Sequence, residues 1–343
     1  MADIHATIVG RAGVLTLDKP ETLNALTHGM VRTIAAHLDL WQDDPRVCHV
    51  IIRSSGGRAF SAGGDIRDLY LRGRTEYDDV LGFFAEEYRL NTRIREYPKP
   101  YIALIDGIVM GGGVGVSVNG RYRVGTPAMR FAMPEVGIGF FPDVGATYFL
   151  PRFPGWYGRY CALTGARLKQ AEAAASGVIT HCIDTDRLEA LFAALTASDD
   201  APAVLEEMCD ASGNDPALPD RDILDRAFAG ETVEAILERL DGERASVCAE
   251  AAATIRAKSP TSVKIALRQM QVGAGQAFRD CMTVEFRIVS RVLRGHDFYE
   301  GVRATIVDKD NRPAWRPDDL AGVSAEAIDA YFEPADGGDL RFD

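Results

Sequence analysis

The stretch Ile108-Val-Met-Gly-Gly-Gly-Val-Gly115 constrains this chain more than any other. An apolar, strand-like run, Tyr101-Ile-Ala-Leu-Ile-Asp106, precedes it, and a second apolar run, Val114 to Val118, follows. Consecutive glycines let backbone pass where a Cβ would collide, and they free N–H groups to face a ligand. A helix starting here leaves its first N–H groups without intrahelical partners, at the positive end of its dipole. Such a place stabilises negative charge that develops on an oxygen. A tight strand-to-helix turn packed against a neighbour is the other reading of the same residues. Val116 stands where a dinucleotide fingerprint needs its third glycine, and no Gly-Lys-Ser/Thr follows, so neither nucleotide-binding glycine loop is matched.

At 343 residues and 47% hydrophobic content, the chain is long enough for a large core or two unequal domains. A formal net charge of −12 argues against a general nucleic-acid or anionic-membrane binder. It leaves room for a local basic site that takes a phosphorylated ligand. Cys48, Cys161, Cys182, Cys209, Cys248 and Cys281 are scattered without a Cys-x-x-Cys pair. They read as reduced thiols of a cytoplasmic protein, neither a disulfide frame nor a zinc site. No apolar run reaches membrane-spanning length. Met1-Ala-Asp-Ile-His5 shows no signal-peptide pattern, and Leu340-Arg-Phe-Asp343 carries no address or lipidation motif.

In chain order, Ala6 to Val9 and Val14 to Leu17 flank Gly10-Arg-Ala-Gly13 and predict a hairpin. Thr27 is placed to cap a helix whose apolar positions are Met30, Val31, Ile34, Leu38 and Trp41. Val47 to Ile52 predicts a buried strand. Ser54 to Asp65 is a long small-residue loop, of the kind that is usually functional in a compact domain. Helices are expected from Ile66 and over Phe83 to Tyr97. Short strands are expected at Tyr122 to Gly125, Met129 to Ala132 and Val178 to Ile183. From about Asp186 strands vanish, and helices alternate with breaks at Asp199 to Pro202 and Gly213 to Pro219. The reading is an α/β first part, 4–190, followed by a helical region, 191–343.

Four motifs in order carry a resemblance: Lys19-Pro-x-x-x-Asn-Ala-Leu26, Ala59-Phe-Ser-Ala-Gly-Gly-Asp65, Gly107-x-x-x-Gly-Gly-Gly113 and Pro134-Glu-x-Gly. The chain resembles the crotonase (enoyl-CoA hydratase/isomerase) superfamily. Within it, Glu86-Glu-Tyr-Arg-Leu-Asn91, Phe140-Phe-Pro-Asp-Val-Gly145 and the Asp297–Trp315 segment are most similar to the 3-hydroxyisobutyryl-CoA hydrolases. The resemblance implies a crotonase-like spiral of ββα turns with a helical C-terminal region. It implies an acyl-CoA thioester substrate, with CoA as part of the substrate and no separate cofactor or metal. It also implies an oxyanion hole formed by the N–H groups of Gly64 and Gly112. Asn24, Ala25, Leu26, Ser61, Ala62 and Asp65 fall where relatives lay CoA along the backbone. A homo-oligomer is possible in this superfamily, and valine breakdown is the setting the resemblance suggests.

A hydratase of this superfamily uses two glutamates, one just after the glycine cluster and one in the Pro-Glu motif. Here the first position is Gly115 and the second is Glu135. Losing one carboxylate removes half of the acid–base machinery for adding water to a double bond. Glu135 and Asp143 lie on loops rich in Gly, Pro and Phe, where apolar surroundings make carboxyls harder to ionise. Such pairs suit acid–base or nucleophilic work; capping and turn roles are the plain alternatives. Glu87 reads by composition as a solvated helix residue, and only the hydrolase motif places it at the substrate. Ser61 and Ser117 lie in no Gly-x-Ser-x-Gly elbow, and the six histidines lie near no motif. The resemblance implies hydrolysis of a 3-hydroxyacyl-CoA thioester, and without a serine, cysteine or histidine at a motif that hydrolysis falls to carboxylates, with Glu135 as nucleophile or base. Dienoyl-CoA isomerase and enoyl-CoA hydratase are the rival activities on the same fold, and a nucleic-acid-binding relative is the non-enzymatic one.

Overall fold

The computed structural model describes residues 3–211 and 218–342. Most of the predicted break at Gly213 to Pro219 lies outside them.

Among the described residues ten strands form in chain order: β1 (Ile4–Val9), β2 (Ala12–Leu17), β3 (His49–Ser54), β4 (Ala59–Ser61), β5 (Tyr101–Ile105), β6 (Ile108–Met110), β7 (Tyr122–Gly125), β8 (Arg130–Ala132), β9 (His181–Cys182) and β10 (Asp210–Ala211). β1 and β2 pair antiparallel as the expected hairpin. β2, β3, β5, β7 and β9 then add in parallel, giving the order β1-β2-β3-β5-β7-β9-β10. The intervening β4, β6 and β8 build a second sheet in that order. The steps β3–β4, β5–β6 and β7–β8 thus each place one strand in the large sheet and the next in the small one, and this is the spiral of ββα turns that the motifs imply. β5 is buried at every position, as a parallel strand covered on both faces must be.

By contacts the chain forms two compact units made of interleaved segments. The first comprises Met1–Asp65, Arg89–Phe131 and Leu168–Leu218, and holds nearly all of both sheets. Its core sets Val14, Ile51, Ile102, Leu104 and Val124 against Leu191, Leu195 and Leu205 of the helices Leu188–Ala197 and Ala201–Met208. Thr27 caps the helix His28–Gln42 by accepting from the Met30 N–H, and the five predicted apolar positions are its buried ones. The second unit comprises Ile66–Tyr88, Ala132–Arg167 and Pro219–Asp343, and its long elements are helical.

Three expectations need correction. The strand predicted over Val178 to Ile183 pairs only at His181–Cys182. Val178 and Ile179 are buried by other means, with the Ile179 N–H bonded back to the Ala173 carbonyl of the preceding helix. Strands also do not vanish after Asp186, because β10 closes the large sheet antiparallel to β9. The helix predicted from Phe83 begins at Tyr77. Asp78 and Asp79 favour the positive end of that helix, and Gly82 within it faces open space and does not break it.

Candidate active site

In the first unit, two loops bring the predicted oxyanion donors onto adjoining backbone. β4 runs into Ala62-Gly63-Gly64, which lies along Leu26. The Leu26 N–H donates to the Gly63 carbonyl at 2.7 Å, and the Asp65 N–H donates to the Leu26 carbonyl at 3.0 Å. This bridge brackets Gly64 and makes no use of its N–H. In the other loop, Gly111 adopts φ 48°, ψ −128°, a conformation that a side chain would strongly disfavour. The helix Gly112–Gly115 starts immediately after it. The N–H groups of Val114 and Gly115 donate to the Gly111 carbonyl, so the Gly112 N–H stands ahead of the helical bonds. The two loops touch closely. A Cβ on Gly63 would stand 3.6 Å from the Gly112 nitrogen, and one on Gly113 would stand 2.6 Å from the Ser61 carbonyl oxygen.

The predicted CoA-contact residues frame this backbone. Asn24 is 1% exposed; its side chain accepts from the Lys19 N–H at 2.8 Å and donates to the carbonyls of Ala59 and Phe60 at 3.0 and 3.1 Å. The Ser61 hydroxyl donates to the Asn24 carbonyl at 2.8 Å. These side chains hold the loop, and Leu26 is fully buried. Ala25, Ala62 and Asp65 are half-buried, with Asp65 Oδ2 3.8 Å from Lys19 Nζ. Any ligand contact along Asn24–Leu26 and Ser61–Ala62 therefore rests on backbone groups.

In the second unit, Glu87, Glu135 and Asp143 are brought together. Glu135 opens the 3-10 turn Glu135–Ile138. That turn closes at Gly139, where a Cβ would stand 2.0 Å from the Asp297 carbonyl oxygen. The helix Asp297–Val302, part of the C-terminal motif, thus presses on the Glu135 turn. Asp297 is itself fixed, its carboxylate accepting from the Ser259 hydroxyl at 2.5 Å and from the Arg316 N–H at 2.8 Å. Phe140 packs against Phe84, Phe141 and Phe298 at ring distances of 5.6, 4.7 and 5.5 Å, which makes an apolar wall beside the acids.

Asp143 is 4% exposed and accepts from the Tyr88 hydroxyl at 2.9 Å. Burial pushes its carboxyl from an ordinary 3.8 to about 7, although the Tyr88 bond works in the opposite direction. Glu135 is held well above the carboxylate range, by burial first and by the charge of Asp143 second. Glu87 is raised in the same way, by burial and then by Asp143 and Glu285. Tyr88 is kept protonated by burial and by three carboxyls, so it remains a donor. Glu135 Oε2 and Glu87 Oε1 are buried with no hydrogen-bond partner among the described residues. An orphaned buried oxygen costs about 1–3 kcal/mol, and at a working site the natural reason to carry it is a partner that arrives with the substrate.

Composition alone suggests Glu87 as a solvated residue, yet it is 2% exposed. Tyr88 and Glu285 are additions that sequence reasoning missed. For Glu285 a signal exists: it lies four residues after Cys281 and three before Ile288, on the buried stripe of the helix Phe278–Val292. An acid on an apolar stripe needs partners. No group of side chains suited to a metal ion occurs among the described residues.

The enoyl-CoA hydratase/isomerase family matches residues 12–332. The chain belongs to this family. Among curated relatives, the mitochondrial 3-hydroxyisobutyryl-CoA hydrolase of Rattus norvegicus is 44% identical over 97% of this chain and 89% of its own. Its counterpart from Homo sapiens is 42% identical over the same shares. Among solved structures of the family, a carnitinyl-CoA dehydratase from Mycobacterium thermoresistibile aligns with TM-score 0.95 at 39% identity, covering 100% of this chain and 99% of its own. An enoyl-CoA hydratase from Rhodobacter sphaeroides 2.4.1 aligns with TM-score 0.93 at 37% identity, covering 99% and 100%. The names attached to these relatives disagree on the reaction, so the chain's own residues must choose.

Proposed function

We propose that this protein hydrolyses the thioester of 3-hydroxyisobutyryl-CoA, and of the related 3-hydroxypropionyl-CoA, to the free 3-hydroxy acid and CoA. The observation that carries this reading is the distribution of acids. Glu87, Glu135 and Asp143 form one buried set, whereas the position that supplies a hydratase with its first glutamate is Gly115, inside a helix of only glycine and valine. The hydrolase names of the curated relatives support it.

The roles follow from the chemistry of each group. The N–H groups of Gly64 and Gly112 donate to the thioester oxygen and stabilise the negative charge that builds on it, each worth about 10²–10³-fold in rate. Glu135 attacks the carbonyl and expels CoA as thiolate, leaving an anhydride that water cleaves to the acid and free Glu135, or it takes a proton from the water whose attack on the carbonyl expels CoA. Asp143, oriented by Tyr88, and Glu87 orient the substrate's 3-hydroxyl, the catalytic carboxylate or the water. CoA is substrate, and the scheme calls for no further cofactor or metal.

Release of free thiol from 3-hydroxyisobutyryl-CoA, with crotonyl-CoA hydration followed in parallel, tests the reading. Thiol release without hydration is expected. Hydration without thiol release would overturn it, and turnover of a dienoyl-CoA alone would make the protein an isomerase. Weak RNA retention at moderate salt is expected from the −12 charge.

The raised carboxyls give a pH prediction with two opposed parts. Activity needs ionised Glu135, whose carboxyl burial and the Asp143 charge hold well above the ordinary range, so kcat/KM should rise with pH only above that ordinary range. Stability should move the other way. Asp143 binds its proton more tightly folded than unfolded, so its contribution is complete below about 3.8 and is lost as pH rises through about 7. Glu285, raised from 4.5 to about 8, extends that window upward. The thermal midpoint should therefore fall as activity rises, and scanning calorimetry at stepped pH checks it.

No helix among the described residues is long and apolar enough to cross a membrane. The six thiols are free, which suits a reducing compartment such as the cytoplasm, while the animal relatives are named as mitochondrial. A homo-oligomer is proposed from the family, and sedimentation of the purified chain reads it directly.

A further inference from the structure

We propose that Glu285 is a positioning residue that fixes the turn carrying Asp143 through two backbone hydrogen bonds and adds a third buried carboxyl beside that turn. This rests on the proposed hydrolase reading for its consequence in turnover. Glu285 projects from the helix Phe278–Val292 and is 0% exposed. Its Oε2 accepts from the Gly145 N–H at 2.9 Å, and its Oε1 accepts from the Thr147 N–H at 2.9 Å. Both carboxylate oxygens thus hold the segment that begins two residues after Asp143.

That segment needs holding. Val144 adopts φ 53° and Gly145 φ 100°, so a branched residue sits in the left-handed region directly after the acid. Gln269, from the helix Pro260–Gly273, supports the turn from its other end by donating to the Pro142 carbonyl and to Thr147 Oγ1. With Pro142 and Thr147 pinned and Gly145 tied to Glu285, the direction of the Asp143 side chain is set by groups that never touch the substrate.

The electrostatic setting points the same way. The titratable groups facing Glu285 are Glu87 and Tyr88 from the helix Tyr77–Glu96, Asp143 from the turn, and Cys281 one turn back on its own helix. Asp143 pushes Glu285 upward, Glu285 pushes Glu87 upward, and the Cys281 thiol is pushed up to about 12 by burial and then by Glu285. Asp143 thus bears on both Glu87 and Glu285, and Glu285 on Glu87, so ionisation at one is felt at the others.

Glu285→Gln and Glu285→Asp, each compared with the wild-type chain, test the proposal. Kinetics are paired with ¹³C-carboxyl NMR titration of Asp143 and Glu87 in the absence of substrate. Gln keeps the length but sets an amide NH₂ against one N–H donor. It should lower kcat about 10- to 100-fold while KM changes less than about threefold. It should also move the acidic limb of kcat/KM, and the Glu87 titration, to lower pH, because a neighbouring charge is gone. Asp keeps the charge with too short an arm for both donors; it should lower kcat and leave the limb in place. Wild-type kcat in either variant overturns the positioning role. A fall in kcat for Gln with unmoved limb and titration overturns the coupling. Should the Gln variant fail to fold, Asp still decides the positioning role by kcat. Should wild type release no thiol, the hydrolase reading fails, while the NMR titration still decides whether Glu285 is coupled to Glu87.

Discussion

Glu135→Gln should bind CoA ligands and fail to turn them over. The size of the loss separates the two chemical routes. A general base contributes about 10²–10⁴-fold, because water and the remaining polarisation of the carbonyl still operate without it. Removal of a covalent nucleophile costs more, on the order of 10⁶-fold where it has been isolated in a hydrolase. A residual rate within the first range fits water activation, and a far lower one fits the anhydride. Labelled oxygen from water trapped in the Glu135 side chain after turnover would establish the anhydride independently. The same variant should be more stable than wild type at high pH. Glu135 is held well above the ordinary carboxylate range by burial and by Asp143, so its stabilising protonation is lost as pH rises through the folded value. Gln retains the shape and never ionises. Gain of stability with loss of turnover is what a residue kept for chemistry shows. Full activity in Glu135→Gln would sink the carboxylate mechanism.

How much of this was legible in the sequence depends on whether a residue works through its neighbours in the chain or across the fold. The Thr27 cap and the apolar stripe from Met30 to Trp41 are local, and both stand as read. The glycine cluster was legible for the same reason: Gly111 has a backbone conformation that needs glycine, and a helix follows at once. Burial of Glu87 was not. Along the chain it stands beside Glu86 and Arg89, which is how an exposed helix face looks. Its environment comes from Asp143 and Glu285, 56 and 198 residues away in sequence. Glu285 was hidden in the same way, since its partners Gly145 and Thr147 are backbone N–H groups without a sequence signature. The short reach of β9 and the presence of β10 depended on pairing between distant segments, and a two-residue ladder leaves no periodic pattern to find. In the sequence, the C-terminal Asp297–Trp315 motif carries only a likeness. The structure gives it a physical task, since the Asp297 backbone packs against Gly139 and closes the Glu135 turn.

Gly113→Ala carries the second large effect, and it acts through crowding against Ser61. The added methyl would stand 2.6 Å from the Ser61 carbonyl oxygen and 2.7 Å from Ser61 Cβ. Neither can swing aside cheaply. Ser61 is fully buried, its hydroxyl is tied to the Asn24 carbonyl, and Asn24 is tied to Ala59 and Phe60. The loops bearing Gly64 and Gly112 must therefore separate by several tenths of an ångström. Overpacking of this kind typically costs about 1–3 kcal/mol of stability, which a chain of this size survives. Catalysis should suffer far more. Oxyanion donors work only at about 2.7–3.1 Å from the developing charge, and losing one is worth about 10²–10³-fold in kcat. With two donors on separated loops, kcat should fall at least that far while KM moves little, because the ground-state carbonyl gains less from those N–H groups than the oxyanion does. Glycine is also the smallest possible residue, so no larger side chain should restore the rate. Thiol-release kinetics beside a thermal melt give both numbers. A stable Gly113→Ala with wild-type kcat would mean that the thioester oxygen is held somewhere other than Gly64 and Gly112. A variant that melts a few degrees lower and turns over a hundredfold more slowly would tie the rate to the spacing of two backbone loops.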